Sequence, residues 1–312
     1  MNVRPTGWRR LLALSTELVD FDARGFRTVP SATRAQLESA AGAFIDGFNL
    51  ELAAGPVDVS GFTPHTRGLA AEGAAMAAVL LDRLSPRPAR HFPALLREHG
   101  QRYSYLLYVG AGWAMAKLRY PGIGPLHASD PLLCWLAYDG YGFCRGFFAS
   151  RRALNRWRRH PGRCDAVCAI RYQGLGRSMW FRECADPSAI AAVIASFPTA
   201  HRGDLWSGVA LASVYAGGVP TETYPQLRRL AGTHGAALAQ GAAFGAEAWQ
   251  ASGHPPEHAF AGVLALTGVD LREAAEWTWQ ARDGLDRADA GPRDYARWRA
   301  RIQQYAAEKT YR

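Results

Sequence analysis

The chain has 312 residues, 48% of them hydrophobic and 20% charged, and its formal net charge at pH 7 is +9. This composition is ordinary for a globular protein with a large core. The only concentrated basic run is RRALNRWRRH at 151–160. Because no nucleic-acid-binding motif accompanies it, we expect a solvated helix face and no nucleic-acid partner.

The N-terminal sequence does not predict a signal peptide. Its basic start and short apolar run are followed by Glu17, Asp20 and Asp22. No uninterrupted apolar stretch reaches the roughly 18–20 residues that a membrane-spanning helix requires. We therefore expect a cytoplasmic protein.

The five cysteines do not predict a disulfide-rich secreted scaffold, because their number is odd and the chain is long. Cys164 and Cys168 would share a helix face, but no second Cys or His pair completes zinc spacing. A metal site at His254 and His258 would need a third ligand that nothing nearby supplies. The sequence thus predicts buried or partly buried free thiols and no metal.

Apolar residues recur at helical intervals along most of the chain. Clear examples, in chain order, begin at Ala32 (ATRAQLESAAGAFIDGF), Pro187 (PSAIAAVIASF), Tyr224 (YPQLRRLAG) and Val269 (VDLREAAEWTWQARDGL). Alternating β-branched runs and hairpin turns are almost absent. The pattern predicts an all-α fold.

Six short segments resemble one another: EGAAMA, VGAGWA, DGYGFC, QGLGRS, SGVALA and QGAAFG. Each has glycine at its second position, and these glycines are Gly73, Gly110, Gly140, Gly174, Gly208 and Gly241. Each also has glycine or alanine two residues later, at Ala75, Gly112, Gly142, Gly176, Ala210 and Ala243. The spacing is near 34 residues, and a proline precedes several of the segments, at Pro93, Pro187 and Pro225.

These features predict a single domain of about six helical hairpins, with an N-terminal cap at 1–65, repeats at 66–254 and a C-terminal cap at 255–312. Such hairpins would form a solenoid or a closed α/α ring. Glycine inside a helix costs about 1 kcal/mol relative to alanine, so we expect the repeat glycines to allow close helix–helix approach. A phosphate loop is excluded because no Gly-Lys-Ser/Thr follows a β-strand.

The residue before each repeat glycine is usually polar, although its neighbours are small or apolar. These positions hold Glu72, Val109, Asp139, Gln173, Ser207 and Gln240. They either face solvent or converge on one internal cavity. In a cavity, Glu72 and Asp139 would act as acid or base, and Arg177 would hold an anionic group or pair with Asp139. Gln173, Gln240 and Ser207 would orient a ligand.

Aromatic residues are frequent on the same helices. Those predicted to line a substrate cavity, if they do not simply fill the core, are Tyr108, Trp113, Tyr138, Tyr141, Phe143, Trp180 and Trp206. In AHRGDLW, we expect His201, Arg202 and Asp204 to cap and open the following helix.

Five segments resemble the UnbL-type family, which has no known function and is typically encoded in enediyne antibiotic gene clusters. The segments are YVGAGWAMAKL, DPLLCWLAYDGYGF, GLGRSMWF, DLWSGVALASVYAGG and LAQGAAF. The likeness runs from Asp22 to Ile302. It implies a role in specialised metabolism, on or near an enediyne polyketide or related polyene. The family pattern has histidine where this chain has Cys144, which makes Cys144 a candidate substrate-contacting thiol or a core residue.

Three functions follow as hypotheses. The first is an enzyme that encloses a hydrophobic polyene or polyketide and, since no cofactor motif is visible, catalyses a cofactor-independent isomerisation or cyclisation. The second is a non-enzymatic helical scaffold or chaperone for a pathway partner such as an acyl carrier protein, which the basic charge would suit. The third is a terpene-cyclase-like enzyme, against which the missing aspartate-rich boxes count.

Overall fold

The computed structural model describes residues 5–28, 32–120, 122–160 and 165–310, and all regular structure in these ranges is helical, as predicted. The first α-helices are α1 (Phe21–Arg24), α2 (Ala32–Ala54), α3 (Arg67–Leu84), α4 (His91–Leu118), α5 (Gly124–His127), α6 (Leu136–Phe147), α7 (Arg151–Arg158) and α8 (Ala166–Arg182). The remainder are α9 (Pro187–Ala195), α10 (Thr199–Ala216), α11 (Thr223–Ala231), α12 (Gly235–Ser252), α13 (Glu257–Thr267), α14 (Leu271–Arg282) and α15 (Pro292–Thr310). Short 3₁₀ turns lie at Gly7–Leu12, Thr16–Val19, Val59–Gly61, Leu133–Trp135 and Gly232–His234.

The long helices form a row in which each packs on the next in the order α2, α3, α4, α6, α8, α10, α12 and α14. A shorter helix precedes several of them, as α7 precedes α8, α9 precedes α10 and α11 precedes α12. Helix α4 contains both parts of such a pair, because its backbone is non-helical at Tyr103 (φ −134°). This arrangement is compatible with a helical-hairpin repeat.

The repeat glycines lie where consecutive helices touch through their backbones. A Cβ atom on Gly110 would lie 2.0 Å from the carbonyl oxygen of Glu72, and one on Gly140 would lie 1.9 Å from that of Val109. The same relation joins Gly174 to Asp139, Gly208 to Gln173 and Gly241 to Ser207, at 1.8, 1.9 and 1.8 Å. Each of these five glycines therefore meets the carbonyl group of the residue before the previous repeat glycine, which confirms the predicted close approach.

Where a segment has a second glycine, that glycine lies against the next helix in the row, on the opposite side from the first glycine's contact. A Cβ atom on Gly112 of α4 would lie 1.8 Å from the carbonyl oxygen of Ala137 in α6, and one on Gly142 of α6 would lie 2.0 Å from that of Arg171 in α8. A Gly-x-Gly segment thus lets one helix approach both of its neighbours.

The same packing continues into the segment that the sequence assigned to the N-terminal cap. Gly47 of α2 faces the carbonyl oxygen of Ala70 in α3, and Gly73 of α3 faces that of Phe44 in α2. Helix α2 is therefore a further member of the row.

The row curves, because helices far apart in it also touch. The Gln36 side chain of α2 donates a hydrogen bond to the carbonyl oxygen of Ala216 in α10, at 3.0 Å. The ring of Tyr105 in α4 lies 5.9 Å from that of Phe244 in α12. Helix α15 packs against α12, α14 and α8, and its Trp298 ring lies 4.7 Å from Phe244. The inner side of the row is consequently buried.

Two local predictions were wrong. Cys168 is disulfide-bonded and not a free thiol, whereas Cys134 and Cys144 are free and buried. Cys184 is also buried, and Cys164 lies outside the described residues. His201, Arg202 and Asp204 do not cap α10, which begins at Thr199 after Pro198 without a side-chain cap. They lie inside the helix because its first turn starts earlier than the sequence suggested.

No helix in the described ranges is both long and apolar enough to cross a membrane.

Replacing Gly208 with alanine should destabilise the protein by about 1–3 kcal/mol or more, because the methyl group meets backbone atoms that cannot move aside cheaply. Gly203→Ala in the same helix is the matched control, since its Cβ atom would be 3.5 Å or more from its neighbours. The control should stabilise α10 by up to about 1 kcal/mol. Urea unfolding of both variants measures the difference, and equal stabilities would contradict the close approach.

Candidate functional site

Three of the predicted site residues form one buried cluster around Asp139 of α6, which is 0% exposed. The Arg177 guanidinium donates to Asp139 Oδ1 at 2.6 Å, and the Gln173 amide donates to Asp139 Oδ2 at 2.9 Å. Gln173 and Arg177 are one helical turn apart on α8, so both side chains reach the same carboxylate. Both oxygens of this buried anion are therefore hydrogen-bonded, as burial of a charge requires.

The polar contacts continue through the equivalent positions of the next two helices. The Ser207 hydroxyl of α10 lies 3.2 Å from Gln173 Oε1 and 2.9 Å from Gln240 Oε1 of α12. One hydroxyl proton can serve only one of these two acceptors at a time. Gln240 Oε1 also accepts a 3.1 Å bond from Arg299 of α15. Arg299 in turn donates to the partly buried Asp204 at 2.9 Å, which ends the chain of contacts on a second cation–carboxylate pair.

At the opposite end of the network, Glu72 of α3 is 2% exposed. Its Oε1 accepts a 3.0 Å hydrogen bond from the Trp113 indole. Its Oε2 lies 3.9 Å from the Arg177 guanidinium and accepts no hydrogen bond from any described residue. Burial raises the pKa of Glu72 to about 7, against the opposing effects of Arg177 and Trp113. Because Asp139 already neutralises Arg177, a proton on Glu72 leaves the group without net charge.

Glu72 and Arg177 are the charged groups in the inner wall of an apolar cleft. The remaining wall is largely aromatic and aliphatic, and includes Phe44, Ile45, Met76, Trp113, Phe143, Phe147, Phe148 and Phe181. The empty space out to the mouth is about 680 Å³, but only about 40 Å³ is wide enough for the centre of a water molecule. The exposed side chain of Lys117 also lines the cleft and marks its opening to solvent.

A wider cavity of about 490 Å³ adjoins the cleft and contains His65 and His258. The two spaces share Ala40, Leu69, Tyr215 and Ala216 as walls. The buried Tyr215 hydroxyl has no hydrogen-bond partner among the described residues. Burial raises the pKa of Tyr215, and the nearby Glu72 raises it further. This hydroxyl therefore stays protonated at the boundary between the cleft and the wider cavity.

Of the aromatic residues predicted to line a cavity, Trp113 and Phe143 do so. Tyr108 packs on Phe92, Tyr138 and Tyr141 lie under the Arg171 guanidinium, and Trp180 donates to the carbonyl oxygen of Gly217. Trp206 is buried. These residues, like Ser207, Gln173 and Gln240, are not among the cleft-lining set.

Cys144 is buried and is also absent from the cleft wall. Burial raises the pKa of its thiol to about 12, which keeps the sulfur protonated near neutral pH. A thiol in this state is a poor nucleophile and a typical core residue.

Several site residues had no strong sequence signal. Tyr215 and Phe147 belong to aromatic-rich helices but lie outside the six aligned repeat segments. Arg299 lies in the segment assigned to the C-terminal cap. Arg299 reaches Gln240 across 59 residues of sequence. A single basic residue near Trp298 on an amphipathic helix does not reveal such a distant partner.

The fold and site define an all-α protein in which a buried, protonatable glutamate ends an aromatic cleft. The sequence model of one family, described as a protein of unknown function (DUF1702), matches residues 6–306, so the chain belongs to that family. No curated protein and no solved structure matches the chain.

Replacing Asp139 with asparagine should destabilise the protein by about 3–5 kcal/mol, because the Arg177 cation then remains buried without its paired anion. Asp289→Asn is the control, since its ion pair with Arg287 is solvent-exposed and contributes little. Chemical unfolding of the two variants gives the comparison. If Asp139→Asn were as stable as wild type, the buried pair would not be the anchor of the network.

The raised pKa of Glu72 makes stability depend on pH. The unfolded carboxyl group loses its proton near its ordinary value of 4.5, whereas the folded one keeps it until about 7. The contribution of Glu72 to stability should therefore be fully present below about pH 4.5 and should be lost as the pH rises through about 7, by up to about 1.4 kcal/mol per pH unit. Glu51 and Glu247 also have their pKa raised to about 7 by burial and act in the same direction.

Glu72→Gln should consequently make the decline in stability between about pH 5 and about pH 7 shallower, because glutamine has no proton to lose. Urea unfolding across that range measures the slopes. Parallel curves for wild type and variant would mean that the Glu72 carboxyl titrates alike in the folded and unfolded chains.

Proposed function

We propose that the protein is an enzyme that binds a thin, hydrophobic polyene or polyketide intermediate in the aromatic cleft and isomerises or cyclises it without a cofactor. The observation that carries the proposal is the carboxyl group of Glu72, a residue that lines the apolar cleft, whose Oε2 is buried without a hydrogen bond from any described residue and whose pKa is raised to about 7. Carboxyl groups tuned in this way are typical general acids and bases.

The chemistry needs only proton transfer. Glu72 donates its proton to one carbon of the unsaturated chain, and the resulting carboxylate removes a proton from another carbon. The products carry the same number of electrons and protons as the substrate. Arg177, 3.9 Å from Glu72 Oε2, stabilises the carboxylate that exists between the two transfers.

Asp139, Gln173, Ser207 and Gln240 serve this reaction indirectly. Asp139 holds Arg177 in place, Gln173 donates to the other oxygen of Asp139, and neither Asp139 nor Gln173 lines the cleft. Asp139 is thus a positioning residue, and Glu72 is the group that meets the substrate.

The shape of the cleft limits the substrate. A space this narrow accepts a flat or extended unsaturated chain more readily than a fused polycycle, and its aromatic rings suit conjugated π systems. Lys117 at the mouth would pair with a carboxylate at the chain end. The resemblance to the UnbL-type family supports an enediyne-type intermediate as this chain.

The alternative is a non-enzymatic scaffold that binds an acyl carrier protein. It rests on helix α7, where Arg151, Arg152 and Arg156 are exposed and no residue is buried. An acidic carrier protein would complement this surface. Such binding would leave Glu72 and the cleft without a role.

The cleft is tested with a conjugated tetraene fatty acid, whose fluorescence rises when it leaves water. Wild type should bind it, and Ala41→Trp should weaken binding at least about tenfold, because the indole fills the space beside half-buried Ala41. Ala153→Trp, at a half-buried position on α7, is the matched control and should bind normally. Equal binding by all three proteins would rule out the cleft as the site.

Chemistry is tested separately with Glu72→Gln, which keeps the shape of the cleft and the acceptor for the Trp113 indole. It should bind the probe like wild type but reduce product formation in the producing host by about 100-fold or more. Arg151→Glu with Arg152→Glu tests the scaffold alternative. Loss of product from this pair alone, with Glu72→Gln fully active, would favour the scaffold.

A further inference from the structure

We propose that His160, Cys168 and His201 form a zinc-binding site that is loaded when Cys168 is a free thiol. One ligand atom from each residue lies within 4.8 Å of the other two, and among the described residues this is the only such group of three metal-ligating side chains. The site is distinct from the cleft and does not depend on the proposed function.

One ring nitrogen of His201 is available to bind a metal ion. The residue is 4% exposed, and its Nε2 is buried without a hydrogen-bond partner in the part of the chain that the structure describes. A buried polar atom left unsatisfied is costly, and a metal ion would satisfy it.

The other side of the His201 ring is held as metal-binding histidines usually are. Its Nδ1 lies 3.3 Å from Asp204 Oδ2, and Asp204 is itself fixed by a 2.9 Å bond from Arg299. A carboxylate on the far nitrogen selects the tautomer and aims the near nitrogen at the metal. Asp204 is thus a positioning residue for the site.

Packing fixes the orientation of the same ring. His201 stacks on Tyr172, with the ring centres 3.9 Å apart and an angle of 6° between their planes. The Tyr172 hydroxyl donates a 2.7 Å hydrogen bond to the carbonyl oxygen of Trp157, near the end of α7. His160 follows that helix, and its ring centre lies 6.5 Å from that of His201. The two imidazoles are therefore placed by α7, α8 and α10 together.

The donor set selects the ion. Two imidazole nitrogens and one thiolate are ligands that zinc prefers, and three protein ligands leave a fourth tetrahedral position for water or another group. Calcium and magnesium, which require oxygen ligands, are not suited to this set.

Cys168 cannot serve as a ligand while it is disulfide-bonded, as it is in this structure. A dithiol reductant supplies two electrons and two protons, which break the S–S bond and yield two thiols, while the reductant becomes a disulfide. Zinc then binds the sulfur of Cys168 and releases the thiol proton to solvent. The disulfide and the zinc complex are alternative states of the same side chain.

The experiment uses the full-length protein, reduced with a dithiol under inert gas, freed of the reductant and titrated with Zn²⁺ against a chromophoric chelator. Co²⁺ in place of zinc adds a spectroscopic readout, since thiolate ligation gives a ligand-to-metal charge-transfer band. Reduced wild type should bind one ion per chain with tetrahedral, thiolate-containing Co²⁺ spectra. Oxidised wild type should lack the charge-transfer band and bind at least about tenfold more weakly.

Cys168→Ser should abolish the charge-transfer band, and His160→Asn and His201→Asn should each weaken binding at least about tenfold. Asp204→Asn should weaken it about 10- to 100-fold while keeping the band. His258→Asn is the matched control, because the Nε2 of His258 is likewise buried without a hydrogen-bond partner among the described residues but lies outside the group. Circular dichroism of each apo variant checks folding.

Two results would overturn the proposal: reduced wild type that binds no Zn²⁺, or a folded Cys168→Ser variant that keeps wild-type affinity and the charge-transfer band. Binding weakened equally by His258→Asn and His201→Asn would also overturn it.

Discussion

The remaining structure depends on one kind of contact, in which a glycine of one helix lies against a backbone carbonyl oxygen of the next helix. In five of these contacts the carbonyl belongs to the residue before the preceding repeat glycine. Residues at that position in consecutive helices are therefore stacked close together. The direct contacts from Asp139 to Gln173, from Gln173 to Ser207 and from Ser207 to Gln240 result from this spacing. A larger residue at the glycine would separate them and strand their polar groups in the core.

Among the residues that precede the repeat glycines, one is apolar, and its position explains where the cleft lies. Val109 stands between Glu72 and Asp139 in the series and can make no hydrogen bond to either side chain. Arg177, one turn beyond Gln173, spans the interruption and approaches both carboxyl groups. It neutralises Asp139 at 2.6 Å and leaves Glu72, a cleft-lining residue, with its Oε2 at 3.9 Å and without a hydrogen bond from the described residues. A protonatable acid in an apolar wall follows from one break in an otherwise continuous polar series.

The network also joins two regions that differ in chemistry. Its Glu72 end meets the apolar cleft, and its Asp204 end meets the imidazole of His201. Between them, each cation is paired with a carboxylate, Arg177 with Asp139 and Arg299 with Asp204. This pairing offsets the desolvation cost of charged groups that lie inside an all-helical core. Arg299 comes from α15, so the last helix of the chain closes the network.

The sequence by itself determined the all-α fold and the glycine contacts, because helical periodicity and glycine placement are local features that survive without knowledge of neighbours. It also singled out Glu72, Asp139, Gln173, Ser207 and Gln240, since a regular repeat puts equivalent residues side by side. Only the tertiary structure decided that Asp139 is satisfied by Arg177, that Tyr215 borders the cleft, and that His160 and His201 lie beside Cys168. The first and third of these contacts depend on how neighbouring helices are turned toward one another. The position of Tyr215 beside the cleft depends on how the row curves to bring α10 close to α2. Neither orientation is encoded by a local pattern.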